Sequence, residues 1–199
     1  MKKFELTNEF ITNMFGTKLF RIRALVEFGD VEAGELGGYV EKESNLGHDD
    51  NAWVYDNAWV YGNARVYGDA QVSGDARVYD NAWVYGDALV YGNARVYGNA
   101  RVYGNAWVYG NALVCSDEDY AYAHGFGSVN RTTTFFRLKD GGVGVRCGCF
   151  YGTLAQFRDK IRETHGETKK AQEYLMLADL MELRFEEDEN EVGNRKYVE

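Results

Sequence analysis

Polar and apolar residues alternate between Asn51 and Ser116 with an uninterrupted period of six. Eleven hexapeptides follow one another without insertion, each beginning with Asn or Asp, then Ala, a variable residue, Val and, in nine copies, Tyr. Because Ala and Val lie two positions apart, they point to one side of an extended chain, and the variable residue and Tyr point to the other. The sixth position is Gly or Asp except at Ser116, and such residues form turns. Each hexapeptide therefore predicts a four-residue strand followed by a two-residue corner.

Three such sides close a triangular coil of 18 residues, and eleven hexapeptides give a little under four coils. Stacking the coils about 4.8 Å apart pairs the backbone groups of each coil with those of the next. A narrow bore requires small inward residues, because Phe would not fit and Gly would leave a void. Pro is absent from the chain, as expected where every backbone N–H belongs to a ladder.

A meander of short antiparallel strands is the alternative fold with the same alternation. Its two-residue hairpin loops prefer the order Asn-Gly or Asp-Gly. Here Gly comes first, as in Gly62-Asn63 and Gly92-Asn93. A meander would also leave a broad Ala/Val face in need of a cover, so the coil is favoured.

The Val-Tyr-Gly-Asn-Ala-Arg frame resembles the left-handed β-helix of hexapeptide-repeat proteins. The left hand follows from this resemblance alone, since the general preference for right-handed crossovers would favour the opposite. The lead-in from Phe28 to Glu41 more narrowly resembles phage and bacterial hexapeptide-repeat proteins, namely the YdcK-like and "polymer-forming" proteins. The resemblance covers most of the first 116 residues. It implies a fold and a phage or prophage source, and it implies little about activity.

The predicted fold is mainly β, a single-stranded left-handed parallel β-helix with an N-terminal cap and a small C-terminal α+β unit. Residues 1–50 form the cap and an irregular first coil built on Leu36, Val40 and Leu46. Residues 51–116 form the β-helix, and 117–130 form a linker. Residues 131–199 form the α+β unit, of ββαα order. Its hairpin surrounds residues 140–142, a capping box opens a helix at Thr153, and a second helix covers about 169–185.

The formal charge of −9 lies mainly in the flanks, because the hexapeptides carry four Arg against five Asp. This balance argues against binding of a nucleic-acid duplex, which needs a basic surface. Three cysteines do not indicate a disulfide framework. The N-terminus lacks an apolar secretory core, and no apolar run reaches the length of a membrane span. We therefore expect a protein of the cytoplasm, the host's if phage-encoded, that has no membrane partner.

Acyl transfer from coenzyme A is the alternative function that the resemblance raises. Related acyltransferases have a His near the active site, which acts as a general base, and loops that interrupt the coils. Here His48, His124 and His165 all lie outside the hexapeptides, and no loop interrupts them. No catalytic residue is therefore predicted, and the protein is expected to be non-enzymatic.

Metal and cofactor sites are likewise not expected. Cys147-Gly148-Cys149 is the only pattern that suggests one. On a regular strand, residues two apart are separated by roughly 6.5–7 Å, which is more than two thiolates on one zinc allow. Small buried thiols in a hairpin are the simpler interpretation.

The outward positions carry every Trp of the chain together with Arg and Tyr. Stacked rings and Arg–Trp contacts stabilise neighbouring coils, but a monomer rarely exposes this much aromatic surface. Trp, Tyr and Arg also dominate interface energetics. The predicted binding residues are Trp53, Trp59, Arg65, Tyr67, Arg77, Trp83, Tyr85, Arg95, Arg101, Tyr103 and Trp107.

These residues predict a non-enzymatic, self-associating scaffold, with a trimer favoured because hexapeptide-repeat proteins commonly form trimers and closed symmetry suits identical faces. The phage resemblance adds a host protein as partner, with a role in counter-defence. Arg beside Trp and Tyr can also pair with a phosphate and stack on a base, so a nucleotide-like ligand is a further hypothesis. Carbohydrate binding is less favoured, because acidic and amide partners are not concentrated beside the rings.

Overall fold

The computed structural model describes residues 1–127 and 130–186. The chain begins with three antiparallel strands, β1 (Phe4–Thr12), β2 (Lys18–Ala24) and β3 (Leu36–Val40), and a single 3₁₀ turn at Glu43–Asn45. Strand β3 also pairs in parallel with the second strand of the repeats, Tyr39 opposite Trp59. The N-terminal strands therefore extend one sheet of the repeat region.

Each hexapeptide forms one two-residue strand made of its variable residue and its Val. The eleven strands are β4 (Trp53–Val54), β5 (Trp59–Val60), β6 (Arg65–Val66), β7 (Gln71–Val72), β8 (Arg77–Val78), β9 (Trp83–Val84), β10 (Leu89–Val90), β11 (Arg95–Val96), β12 (Arg101–Val102), β13 (Trp107–Val108) and β14 (Leu113–Val114). They are shorter than the predicted four residues because Ala and Tyr take part in the corners, as where Ala58 N–H donates to the Tyr55 carbonyl at 3.1 Å.

Parallel pairing joins each strand to the strand one coil further on, for example Trp53 with Gln71 and Val54 with Val72. The first face contains β4, β7, β10 and β13, the second face β5, β8, β11 and β14, and the third face β6, β9 and β12. A meander would pair consecutive strands antiparallel, so this pairing excludes it. The chain is a parallel β-solenoid of about four coils, as predicted.

The bore contains the inward Ala and Val of all eleven hexapeptides, each at most 1% exposed. The corners use positive φ angles at the sixth position, including Asp56 (φ 52°) and Asp80 (φ 60°). Both aspartates also accept a hydrogen bond from the Gly N–H one coil further on, Asp56 from Gly74 at 3.1 Å and Asp80 from Gly98 at 3.3 Å. This bond offsets part of the cost of the left-handed backbone.

The N-terminal end of the solenoid presents carbonyl oxygens that have no preceding coil, and the cap supplies donors for them. Val40 and Leu46 are buried and begin this preceding coil as predicted, whereas Leu36 is 49% exposed and does not. The Asn45 side-chain amide donates to Ala64 O at 2.8 Å. Lys3 Nζ donates to Ala52 O at 2.9 Å, and burial lowers the pKa of Lys3 to about 8.

The C-terminal end presents N–H groups, and oxygen atoms accept from them. Trp107 N–H donates to Thr134 Oγ1 at 2.9 Å, and Arg101 N–H donates to Asp117 Oδ1 at 2.7 Å. Cys115 and Ser116 N–H donate to Asp119 Oδ2 at 2.9 and 3.0 Å. Each end of the solenoid is therefore closed by groups of the polarity opposite to its exposed backbone, as at helix ends.

The C-terminal unit is a four-stranded antiparallel sheet with two helices. Its elements are β15 (Tyr120–Phe126), β16 (Arg131–Arg137), β17 (Val143–Cys147), β18 (Phe150–Thr153), α1 (Leu154–His165) and α2 (Lys169–Phe185). The predicted hairpin, the capping box of Thr153 with Gln156 and both helices are present. The interpretation of 117–130 as a linker was wrong, because β15 pairs with β16. The predicted ββαα order was wrong as well, because β15 and β18 add two strands to the hairpin and the order is ββββαα. The part of the predicted unit beyond 186 lies outside the described residues.

Candidate interaction surface

Within the hexapeptides, all of which the structure describes, four outward residues are exposed, and all four lie on the third face. They are Arg65, Trp83, Arg101 and Tyr103. Trp83 is 39% and Tyr103 is 42% exposed. The outward residues of the other two faces are buried or half-buried, so the third face is the open side of the solenoid.

Rings pack regularly along the third face. Tyr67 stacks on Tyr85 with centroids 5.0 Å apart, and Tyr85 stacks on Tyr103 at 5.4 Å. Trp83 meets Tyr67 edge-on at 6.3 Å, and the Arg65 guanidinium lies 6.0 Å from the centre of the Trp83 ring. These contacts fix the orientation of the aromatic side chains, which reduces the entropy lost when a partner binds.

The charges of the third face continue into its corner. Arg101 pairs with Asp117 at 3.2 Å. Asp69 and Asp87 are exposed in the corner that follows this face. The face therefore carries arginines beside an acidic edge.

The first face is covered by the flanking segments. Trp53 is fully buried, with ring centroids 6.2 Å from Phe4 and 5.3 Å from Phe28. Arg146 of the C-terminal unit lies over Trp107, 5.6 Å from its centroid. The prediction that Trp53 is an open interface residue was therefore wrong, because the N-terminal cap packs on it.

The outward side chains of the second face cover one another. The Arg77 guanidinium lies 4.2 Å from the centre of the Trp59 ring. Tyr61, Tyr79 and Tyr97 stack in sequence with centroids 5.1 Å apart. Burial raises the pKa of Tyr61 to about 12. The pairing of Trp59 and Arg77 follows the expectation that Arg–Trp contacts join neighbouring coils.

A polar groove of about 210 Å³ lies where the second face meets the C-terminal unit. Its lining residues are Asn93, Arg95, Asn111, Ala112, Leu113 and Lys139. A larger depression of about 470 Å³ shares Asn111 and Lys139 and adds Leu138, Asp140 and Tyr151. Sequence reasoning included Arg95 but missed Lys139, because only folding brings the hairpin against the solenoid.

The histidines occupy three unrelated places. His48 stacks on Phe4 at 4.5 Å in the N-terminal cap, where burial lowers its pKa. His124 Nδ1 lies 2.9 Å from Thr132 Oγ1 on neighbouring strands. His165 ends α1 and stacks on Tyr174 at 5.9 Å.

The Cys147-Gly148-Cys149 pattern spans the turn between β17 and β18. Cys147 is half-buried and accepts a hydrogen bond from Thr133 Oγ1 at 3.2 Å, whereas Cys149 is exposed. No group of three or more His, Cys, Asp or Glu side chains is arranged to hold a metal ion among residues 1–127 and 130–186.

These features define the chain as a β-solenoid with capped ends and one open aromatic and arginine-bearing face. A family model for the YdcK β-solenoid repeat matches residues 58–74, 70–86, 88–102 and 94–110. No curated protein matches the chain. Among the described helices, none combines the length and apolarity needed to cross a bilayer.

Proposed function

We propose that this chain is a non-enzymatic β-solenoid scaffold that associates with copies of itself through the third face. The observation that carries the proposal is that the four exposed outward residues of the hexapeptides all belong to this face. Rigid Trp, Tyr and Arg side chains at the centre of a surface are the residues that contribute most to binding energy.

The charges of the face favour a closed ring over a two-fold pair. Face-to-face pairing about a two-fold axis would oppose Arg65 and Arg101 to the same two arginines of a second copy. In a ring, the third face of one copy can meet the corner of the next, where Asp69 and Asp87 are exposed. A cyclic trimer is the assembly that we propose.

The test is the mass of the particle in solution. At micromolar concentration the wild-type chain is expected to have the mass of a trimer by light scattering. Trp83→Asp is expected to reduce it to that of one chain, because the variant loses the central aromatic side chain of the face and places a carboxylate between Arg65 and Arg101, which then no longer pair with the acidic corner of the next copy. Phe15→Asp, in the turn between β1 and β2 where Phe15 is 70% exposed, is the control. A wild-type mass of one chain contradicts the proposal.

A host protein is the further partner that we propose, on the strength of the phage resemblance. Capture from host lysate by the wild-type chain should identify a protein that Trp83→Asp no longer retains and that Phe15→Asp still does. Equal capture by all three would show that the third face does not bind it.

Binding of a phosphate-bearing ligand is a second proposal, supported by the groove at Arg95. In a chain of net charge −9, this groove is lined by Arg95, Lys139 and two Asn side chains, with no carboxylate among its lining residues. Guanidinium and ammonium groups bind phosphate through charge-assisted hydrogen bonds. Tyr151, in the adjoining depression, can stack on a base.

Calorimetry with ATP and with inorganic pyrophosphate tests this second proposal. We expect both to bind, ATP more tightly, and the variant Arg95→Gln/Lys139→Gln to weaken both by roughly tenfold or more, since one charge-assisted bond contributes about 1.5–3 kcal/mol. Lys160→Gln, on α1, is the matched control. Equal heats of binding for the wild type and the double variant would contradict phosphate binding at this groove.

A comparison of the affinities for coenzyme A and for ATP distinguishes phosphate binding at this groove from acyl transfer. The groove predicts that coenzyme A binds no more tightly than ATP, because both present phosphates and an adenine. An acyltransferase of the hexapeptide-repeat class would prefer coenzyme A strongly, and such a preference would favour the alternative function.

A further inference from the structure

Helix α2 carries two apolar stripes on opposite sides. The buried stripe consists of Ala171, Tyr174, Ala178, Met181 and Phe185. The second stripe consists of Met176, Leu180 and Leu183, whose exposed fractions are 71%, 55% and 68%. At 100° per residue the two stripes are half a turn apart. A helix that needed only its own core would carry polar residues where the second stripe lies.

The second stripe has the spacing of a coiled-coil seam. Met176, Leu180 and Leu183 are separated by four and then three residues, which makes them positions d, a and d of a heptad. In that register Asp179 takes position g and Arg184 the following position e. The seam begins after Glu173, which occupies the preceding position a.

We infer that this stripe is a seam at which α2 helices from copies of this chain pack in parallel. In a parallel coiled coil, position g contacts position e of the neighbouring helix five residues further on. Asp179 would thus meet Arg184 of the next copy, and the contact repeats around the ring. Antiparallel packing centred on Leu180 would instead bring the Asp179 residues of two copies together. The charges of the helix therefore select the parallel arrangement.

Both charged groups are available for such a contact. The Asp179 side chain is 70% exposed although one of its oxygens lies 2.8 Å from Arg158. Arg184 is exposed, and its Nη2 donates to the Asp117 backbone carbonyl at 3.4 Å. Each group keeps donors or acceptors that face solvent.

The seam is continuous with the third face. Arg184 contacts the Asp117 carbonyl, and the Asp117 carboxylate pairs with Arg101 of the third face. Three apolar side chains bury less area than the roughly 800 Å² per partner of a typical stable interface. The seam therefore acts together with the third face, and the inference rests on the proposed self-association.

Cysteine cross-linking tests the seam directly. In a Cys149→Ser background, Leu183→Cys is expected to form a disulfide between copies on mild oxidation, because equivalent d residues of parallel helices face each other. Met176→Cys should behave in the same way. Glu182→Cys, exposed on the other side of the helix, should remain uncross-linked. Cross-linking only in a mixture of the Met176→Cys and Leu183→Cys chains would indicate antiparallel packing and overturn the inference.

A charge exchange provides a second measurement. Asp179→Arg and Arg184→Asp are each expected to weaken association several-fold in sedimentation equilibrium, and the double variant is expected to restore it. Suppose that Trp83→Asp abolishes association, but the cysteine variants form no disulfide between copies and the charge variants associate like the wild type. The inferred seam is then wrong, and the proposed association through the third face stands. If the wild-type chain is a monomer, both are wrong.

Discussion

Replacement of Asp119 by Ala is expected to lower the free energy of unfolding by about 3–5 kcal/mol. Asp119 is 1% exposed and Arg137 is 6% exposed. Their side chains form an ion pair of 3.4 Å between the last coil and the C-terminal sheet. Loss of the carboxylate leaves the arginine charge buried and removes the acceptor of the Cys115 and Ser116 N–H groups. Chemical denaturation followed by circular dichroism measures the effect.

Asp117→Ala is the matched control for this prediction. Asp117 also accepts a hydrogen bond from the last coil, at Arg101 N–H, but its side chain is 43% exposed. Water can replace the lost acceptor there, so we expect about 0.5–1.5 kcal/mol. A loss below 1 kcal/mol for Asp119→Ala would show that the buried pair does not hold the C-terminal unit on the solenoid.

Cooperative unfolding between pH 10 and 12 is the second large effect that we expect. Burial raises the pKa of Tyr61 to about 12 and also raises those of Tyr67 and Tyr79. A folded pKa above the unfolded value of about 10 means that this stabilising contribution is complete below pH 10 and is lost as the pH rises through the folded pKa. Ionisation also places like charges on rings stacked 5.1 Å apart.

Lys3 has the opposite effect on the pH dependence of the free energy of unfolding, and it therefore limits the pH at which the alkaline loss of stability begins. The pKa of Lys3 in the folded chain is about 8, below the ordinary value of 10.5 for a lysine side chain. The unfolded chain therefore binds the extra proton between these values, and the contribution of Lys3 to stability rises with pH there. Loss of stability should accordingly begin only above about pH 10, where tyrosine ionises.

Spectrophotometric titration of tyrosinate, together with circular dichroism, measures the alkaline transition. Tyr61→Phe/Tyr79→Phe retains the stacked rings and removes two ionisable hydroxyls, so its unfolding midpoint should move to higher pH. Tyr151→Phe, which is 39% exposed, should leave the midpoint unchanged. Non-cooperative titration of all tyrosines near pH 10 with the fold intact would contradict the prediction.

The fold of the repeat region could be predicted because all eleven hexapeptides follow the same pattern without an insertion. Ala at the second and Val at the fourth position of every hexapeptide fit a narrow bore, and the Gly-Asn order at the corners disfavoured hairpin loops, which the parallel pairing of the strands then excluded. The two helices of the C-terminal unit were predictable for a similar local reason, since a capping box and an apolar stripe mark them. Strand β15 was missed because its large residues alternate with Ala and Gly rather than with polar residues, so no apolar and polar side is marked in the sequence. Only its pairing with β16 identifies it as a strand.

The second stripe of α2 could have been found from the sequence. Met176, Leu180 and Leu183 stand at the same four-and-three spacing as the buried residues, half a turn away. The groove at Arg95 could not have been found, because Lys139 is 44 positions further along the chain and reaches the solenoid only through the packing of the β16–β17 hairpin.

The sequence by itself determined which side of each strand faces the bore, because inward and outward positions alternate regardless of context. It did not determine the exposure of the outward residues. Trp59, Trp83 and Trp107 occupy the same place in three identical hexapeptides, Asn-Ala-Trp-Val-Tyr-Gly. Trp59 lies under Arg77 and Trp107 under Arg146, whereas Trp83 stays 39% exposed although the Arg65 guanidinium lies 6.0 Å from the centre of its ring. The Arg77 contact follows from the repeat, because Arg77 lies one coil beyond Trp59. Only tertiary structure decided that Arg146 covers Trp107, because Arg146 comes from outside the repeats.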